Sequence, residues 1–248
     1  MEFYDRNRIY IPAGNQEEIK NKRVVLAGTG LGSVIAECLL RLGFENICLI
    51  DGDVVETTNL NRQNYTLHDV GKPKVTALRE RLESINPRAA IECKNQFLDS
   101  ETGIRSVLSV GDIAINAMDF NSDAPFLFDK VCTSLNIPVI HPYNLGWAGC
   151  AFVVTPASEG LTYIQTTPLN FEKQFVEYAI KRLKHQNYNT DWLEQCLTSY
   201  MEEKDGMPPP QLPVASWITA GLCTSLIYKL AIGDSPRLFP DFYFLPAI

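Results

Sequence analysis

Five short aliphatic runs, at residues 24–27, 47–50, 90–93, 113–116 and 139–141, alternate with stretches whose apolar residues recur at helical spacing. Val- and Ile-rich runs of this length, each followed by an amphipathic helix, predict an α/β fold: a mostly parallel twisted sheet with crossover helices on both faces. Between the first two runs, Val34, Cys38, Leu39 and Leu42 share one helical face, and Gly43 is placed to end that helix. Val75, Leu78, Leu82 and Ile85 mark a second helix over 73–86. It stops before Pro87, because a residue preceding proline is pushed out of the α region.

The last third has a different texture. Residues 170–204 are charged and aromatic with helical spacing, and they lead into GMPPPQLP at 206–213, whose prolines predict a loop. Residues 214–232, VASWITAGLCTSLIYKLAI, predict a nearly all-apolar buried helix, a candidate for a subunit interface. The chain therefore divides into a sheet-forming part, 1–156, and a helical and loop insertion, 157–213, suited to covering a substrate. Residues 214–248, the apolar helix and tail, complete the first part.

A chain of 248 residues, 46% hydrophobic and 21% charged, is large enough for one domain with an elaboration. The aliphatic runs at 24–27 and 47–50 are far shorter than the roughly 20 residues that span a bilayer. The start, MEFYDRNRIY, mixes acids with arginines where a signal peptide needs a basic and then an apolar stretch. The expectation is a cytoplasmic protein with no membrane segment. Seven cysteines without a C-x-x-C pair read as reduced thiols, and the net charge of −7 argues against a general nucleic-acid binder.

Candidate chemistry begins at Gly28, Gly30 and Gly32, in GTGLGS, where the first strand turns into a helix. Glycines there let the backbone approach a phosphate closely and aim helix N-terminal amides at it. Asp51 closes the second strand, where a Rossmann-type carboxylate accepts hydrogen bonds from ribose hydroxyls. These features fit ATP and NAD alike, and alone they favour an NAD-dependent dehydrogenase.

The stretch from Asp51 to Lys74, DGDVVETTNLNRQNYTLHDVGKPK, shifts that balance. It resembles the pattern D-x-D-x-V-x-x-x-N-L-x-R-Q followed by D-[IV]-G-x-x-K, found in the ThiF, MoeB and HesA family and in activating enzymes of ubiquitin-like proteins. The resemblance continues through INP at 85–87 and DIAINAMD at 112–119. It implies a Rossmann-like adenylyltransferase that uses ATP and magnesium to activate the C-terminal carboxylate of a ubiquitin-like or sulfur-carrier protein with a glycine tail.

Adenylation must neutralise charge on the triphosphate as pyrophosphate departs. Arg62 suits bidentate contact with phosphate, and Lys74 supplies a point charge at a helix start. Asn59 is a candidate for phosphate or ribose, and Gln63 for holding Arg62 or touching phosphate. Asp119, at the carboxyl edge of the sheet, suits magnesium, although the same carboxylate could cap the next helix. Asp53 supports the turn or the metal indirectly. By resemblance, Arg6 in YDRNR reaches the triphosphate of a partner subunit in a homodimer, with Arg8 a nearby alternative.

Three departures from the family pattern stand out. The loop reads GTGLGS rather than G-x-G-G-x-G, which predicts a slightly remodelled pocket. Phe120 follows Asp119 where the family commonly has Asn. The paired C-x-x-C motifs of zinc-binding relatives are missing, so no such zinc site is expected. Members that form a thioester or persulfide use a cysteine nucleophile, for which Cys196 is the candidate. Its helical spacing from Trp192 and Leu193 reads as a packed thiol instead. Cys150, Cys223, His141 and His185 read as structural or exposed groups. The alternatives are adenylation of a tRNA base or short peptide, or a nucleotide-binding or interaction protein that has lost catalysis.

Overall fold

In the computed structural model, which describes residues 2–164, 166–203 and 207–248, seven strands form one sheet. The strands are β1 (Arg23–Ala27), β2 (Asn46–Ile50), β3 (Ala90–Lys94), β4 (Ile113–Asn116), β5 (Val139–Asn144), β6 (Ala148–Val154) and β7 (Tyr243–Pro246). Their order is β3-β2-β1-β4-β5-β6-β7. The first five are mutually parallel, and β6 and β7 return antiparallel at one end. The chain thus reverses direction in the sheet between β1 and β4, and such a switch point opens a crevice at the carboxyl ends of the strands.

The inner parallel strands β1, β2, β4 and β5 are buried on both faces, whereas the edge strand β3 is half-exposed, and the inner side chains alternate between two cores. Val24 and Leu26 point to α2 (Leu31–Leu42), α3 (Lys74–Ile85) and α8 (Pro213–Ala231). Val25 and Ala27 point to α4 (Glu101–Val107) and α5 (Ala124–Ser134). Period-two alternation with apolar residues at every position is what a sheet covered on both sides requires. A short helix, α1 (Ala13–Asn21), precedes β1.

A third core, rich in aromatic rings, joins the β5–β6–β7 end of the sheet to α6 (Phe171–His185) and α7 (Asp191–Glu202). The stretch expected to be helical over 170–204 is therefore two helices, broken by HQNYN with Asn187 at φ 62°. Lys204 lies outside the described residues, as does Gly206 of the expected proline loop; Met207 to Leu212 is irregular. Among the described residues, α8 is the one helix long and apolar enough to cross a membrane. It is the nearly all-apolar helix expected over 214–232. Ten of its residues are nevertheless buried, and it packs on α2, β5 and β6. Its exposed positions, Pro213, Trp217, Gly221, Ser225 and Lys229, form one stripe at fourfold spacing.

Candidate active site

The register places the ends of β1, β2 and β4 side by side, since Ala27 pairs with both Ile50 and Asn116. The loops that follow carry Gly28, Asp51 and Asp119 to one edge. Gly28 adopts φ +91°, and a Cβ there would lie 2.3 Å from the Ala117 carbonyl oxygen. Glycine at this position is what lets the loop pass the end of β4 so closely.

Asp51 holds the loop in shape. Its Oδ2 accepts the Thr29 amide (2.7 Å) and hydroxyl (2.9 Å), and its Oδ1 accepts the Asp53 amide (2.9 Å). Tyr65, buried, donates its hydroxyl to the Thr29 carbonyl at 2.9 Å, and burial pushes its phenol well above the ordinary range. No side chain caps α2, whose N-cap is Gly30. An uncapped N-terminus with its helix dipole pointing at the cleft is a seat for anionic oxygens. Gln63 flanks Gly30, and its buried Oε1 has no hydrogen-bond partner among the described residues.

Two cations and three carboxylates converge here. Lys74 begins α3, is almost buried, and pairs with Asp53 at 3.0 Å; its backbone amide also donates to the Asp53 carbonyl. Arg62 donates Nη1 to the Thr58 carbonyl and to Asn61, and Nε to Gln211 of the proline loop. Burial lowers the pKa of Arg62, opposed by the Asp119 charge. Asp119 sits in a recess yet stays open to solvent; partial burial raises its pKa, with Asp53 and Asp51 adding to the rise and Lys74 and Arg62 opposing it. Asn59 uses its Oδ1 to accept the Glu56 amide at 2.9 Å, so its capping role comes before any ligand contact. Asp123, not Asp119, occupies the N-cap of α5.

Arg6 is not brought to this cleft within one chain. Asn7 bonds the Leu42 carbonyl at the far end of α2, and Tyr4 accepts a hydrogen bond from Asn86 just past α3, so the segment lies at the opposite edge of the sheet. Arg6 and Arg8 are both exposed. Cys196 corrects the expectation of a packed thiol. It is exposed on α7, lining a shallow groove with Trp147, Trp192 and Ile248. Cys150 and Cys223 are buried. His141 is buried too, bonded to Asp129 at 2.8 Å and stacked on Phe152.

Sequence reasoning missed several neighbours of the cleft. Tyr65 and Gln211 carry no motif, because each acts through long-range hydrogen bonds. Phe97, two-thirds exposed, lies over Gly52, where an added Cβ would meet its ring at 2.7 Å. That places a flat apolar surface beside Asp51. From α6, the Glu172 carboxylate enters the field of Asp119, and its pKa is raised to about 7 by burial first and by Asp119 second.

Residues 4–245 match the ThiF family. The chain belongs to the ThiF family. Among curated relatives, it is 32% identical over 162 residues to the Bacillus subtilis sulfur carrier protein ThiS adenylyltransferase, covering 62% of this chain and 47% of that protein. It is 36% identical over 140 residues to the B. subtilis tRNA threonylcarbamoyladenosine dehydratase, covering 55% of this chain and 54% of that one. The chain spans about half the length of these curated relatives. A crystal structure of E. coli MccB with ATP superposes with a TM-score of 0.71 at 20% identity, covering 99% of this chain and 70% of MccB, a likeness of fold.

The family implies ATP, which the residues present fit; for a divalent cation they offer single carboxylates, with no group of three metal-binding side chains among the described residues. An uncapped helix start, Arg62 and Lys74 suit phosphate oxygens, the orphaned Gln63 oxygen, an acceptor, suits a ligand's donor group, and Asp119 offers a hard carboxylate open to solvent.

Proposed function

We propose that this ThiF-family protein is an adenylyltransferase that joins ATP to the C-terminal carboxylate of a small ubiquitin-like or sulfur-carrier protein. The observation that carries the reading is the convergence of Arg62 and Lys74 with Asp119 at the switch-point edge, beside the Asp51-braced glycine loop. An NAD-dependent dehydrogenase would give that convergence no work.

In the reaction, an oxygen of the acceptor carboxylate attacks the α-phosphorus. A new P–O bond forms, and the bond to the leaving pyrophosphate breaks with its electron pair. No proton is transferred, so no general base is needed. Lys74 and Arg62 hold the phosphate oxygens while charge accumulates on the leaving group. Asp51, kept in place by Thr29 and Asp53, orients the ribose. A divalent cation on Asp119 would supply further neutralisation.

Charge balance supports a shared site. Arg62 and Lys74 face three carboxylates, Asp51, Asp53 and Asp119, so the cleft has a net charge near −1 before a triphosphate arrives. A cation from outside is called for, and the exposed Arg6 of a second copy is its source in this reading, with Arg8 as the neighbour able to substitute.

ATP–pyrophosphate exchange with a small ubiquitin-like sulfur-carrier protein ending in Gly-Gly tests the proposal. Lys74→Ala and Asp119→Ala should each lower exchange at least about 100-fold while circular dichroism shows an intact fold. Exchange at the wild-type rate in either variant, or tight NAD binding without ATP binding, would defeat it.

A further inference from the structure

The segment after Arg62 is stitched to the glycine loop residue by residue. Gln63 lies against Gly30, the Asn64 amide donates to the Ser33 hydroxyl at 2.9 Å, and the Tyr65 hydroxyl donates to the Thr29 carbonyl at 2.9 Å. Arg62 heads this segment, so its backbone is fixed beside the loop. Its side chain needs a separate hold. A long arginine stem must give up rotamer freedom before its guanidinium can meet an anion.

Three oxygens supply that hold, and all are neutral. Nη1 donates to the Thr58 carbonyl at 2.9 Å and to Asn61 Oδ1 at 2.8 Å, and Nε donates to Gln211 Oε1. Asn61 in turn donates Nδ2 to the Gln211 carbonyl at 3.3 Å, which closes a ring of hydrogen bonds through Arg62, Asn61 and Gln211. No described residue accepts from Nη2, whose two hydrogens are left for a ligand. Lys74 differs, since it shares its charge with Asp53 at 3.0 Å. Amide and carbonyl oxygens orient a cation without neutralising it, so Arg62 keeps its full charge.

Gln211 reaches Arg62 from a stiff support. In the preceding run, Pro208, Pro209 and Pro210 have fixed φ angles and little freedom to lose. At one end, Tyr200 of α7 donates to the Met207 carbonyl at 3.1 Å. At the other, Asn144 at the end of β5 grips Leu212 twice, donating to its carbonyl at 2.7 Å and accepting from its amide at 3.3 Å. The strap is thus pinned on both sides of the one residue that touches the guanidinium.

We propose that Gln211 is a positioning residue for the nucleotide: it turns the Arg62 guanidinium so that Nη2 meets a triphosphate oxygen, and, being an amide, it leaves the charge of Arg62 intact for that oxygen. This role depends on the adenylation reading. A glutamate of the same shape would also orient Arg62, but it would form an ion pair and discharge it. Orientation and charge are therefore separable by substitution at one half-buried loop position.

ATP and adenosine are titrated against the full chain, and ATP–pyrophosphate exchange is run with a small ubiquitin-like sulfur-carrier protein ending in Gly-Gly. Adenosine is the control, since it has no phosphate for Arg62 to meet. The wild type should prefer ATP. Gln211→Glu should shrink that preference at least about tenfold, and Gln211→Ala about threefold, with adenosine affinity and Tm unchanged. In an Arg62→Ala background neither substitution should have a further effect. A wild-type preference in Gln211→Glu, or the same loss when Arg62 is absent, would overturn the role of Gln211 alone. Failure of the wild type to prefer ATP, or to exchange pyrophosphate, would overturn the adenylation reading and the role of Gln211 with it.

Discussion

Gly28→Ala tests how the nucleotide loop is held. At φ +91° a non-glycine residue costs about 1–3 kcal/mol. Its Cβ would also lie 2.3 Å from the Ala117 oxygen, where ordinary contact starts near 3.4 Å, so loop and carbonyl must part by about 1 Å. That movement strains the 2.8 Å bond from the Ala117 amide to the Ala27 carbonyl, which ties β4 to β1. Losing it adds about 0.5–1.5 kcal/mol. The sum centres on about 3 kcal/mol, which for a chain of this size lowers Tm by about 6–12 °C. ATP affinity should fall as well, because Ala117 leads directly to Asp119. Calorimetry and an ATP titration measure both effects. Gly14→Ala is the control: its added Cβ meets nothing within 4 Å on α1, so stability should hold or rise by up to about 1 kcal/mol. A Tm drop below about 2 °C in Gly28→Ala, with unchanged ATP affinity, would refute the account of the loop.

Other expectations follow from the same geometry. Asp129→Ala strips the buried partner from His141 and one of two acceptors from Asn116, and should cost about 2–4 kcal/mol by thermal unfolding; a neutral result would mean water replaces the carboxylate. Phe97→Ala should leave stability within about 0.5 kcal/mol, since the ring is largely exposed. Stacking on a base is worth about 1–3 kcal/mol, so this substitution should weaken ATP binding at least about fivefold, and unchanged affinity would remove Phe97 from the site. Glu172 has a folded pKa near 7, raised above its ordinary 4.5, so the folded state binds its proton more tightly than the unfolded chain. Its contribution is fully present below about pH 4.5 and is lost as pH rises through about 7. Wild-type stability should therefore fall across that window relative to Glu172→Gln, and parallel curves would contradict the placement of Glu172.

Much of the architecture was legible because it is written in local pattern. Four of the five parallel strands are aliphatic runs buried on both faces, the edge strand β3 being half-exposed, and each helix between them carries a single apolar face. The return strands were harder to see. All seven residues of β6 are buried, so AGCAFVV shows no alternation and reads equally as helix or strand. The spacing from Asp51 to Lys74 also marked the cleft, because those residues lie on one continuous turn and helix start, where sequence distance and spatial distance agree.

The family and the glycine-loop chemistry follow from the sequence by itself. Backbone conformation and short-range spacing are enough to place Gly28, Asp51, Asn59, Arg62 and Lys74 near one another. Only the tertiary structure decided what surrounds them. Gln211 reaches Arg62 across 149 residues, Phe171 stacks on Phe120, and Glu172 of α6 enters the field of Asp119. None of these pairs leaves a periodic trace, since each depends on how α6 and the proline loop pack over the sheet edge. Packing of the N-terminal segment on the far ends of α2 and α3 sets Arg6 away from Lys74, a separation that no spacing along the chain encodes.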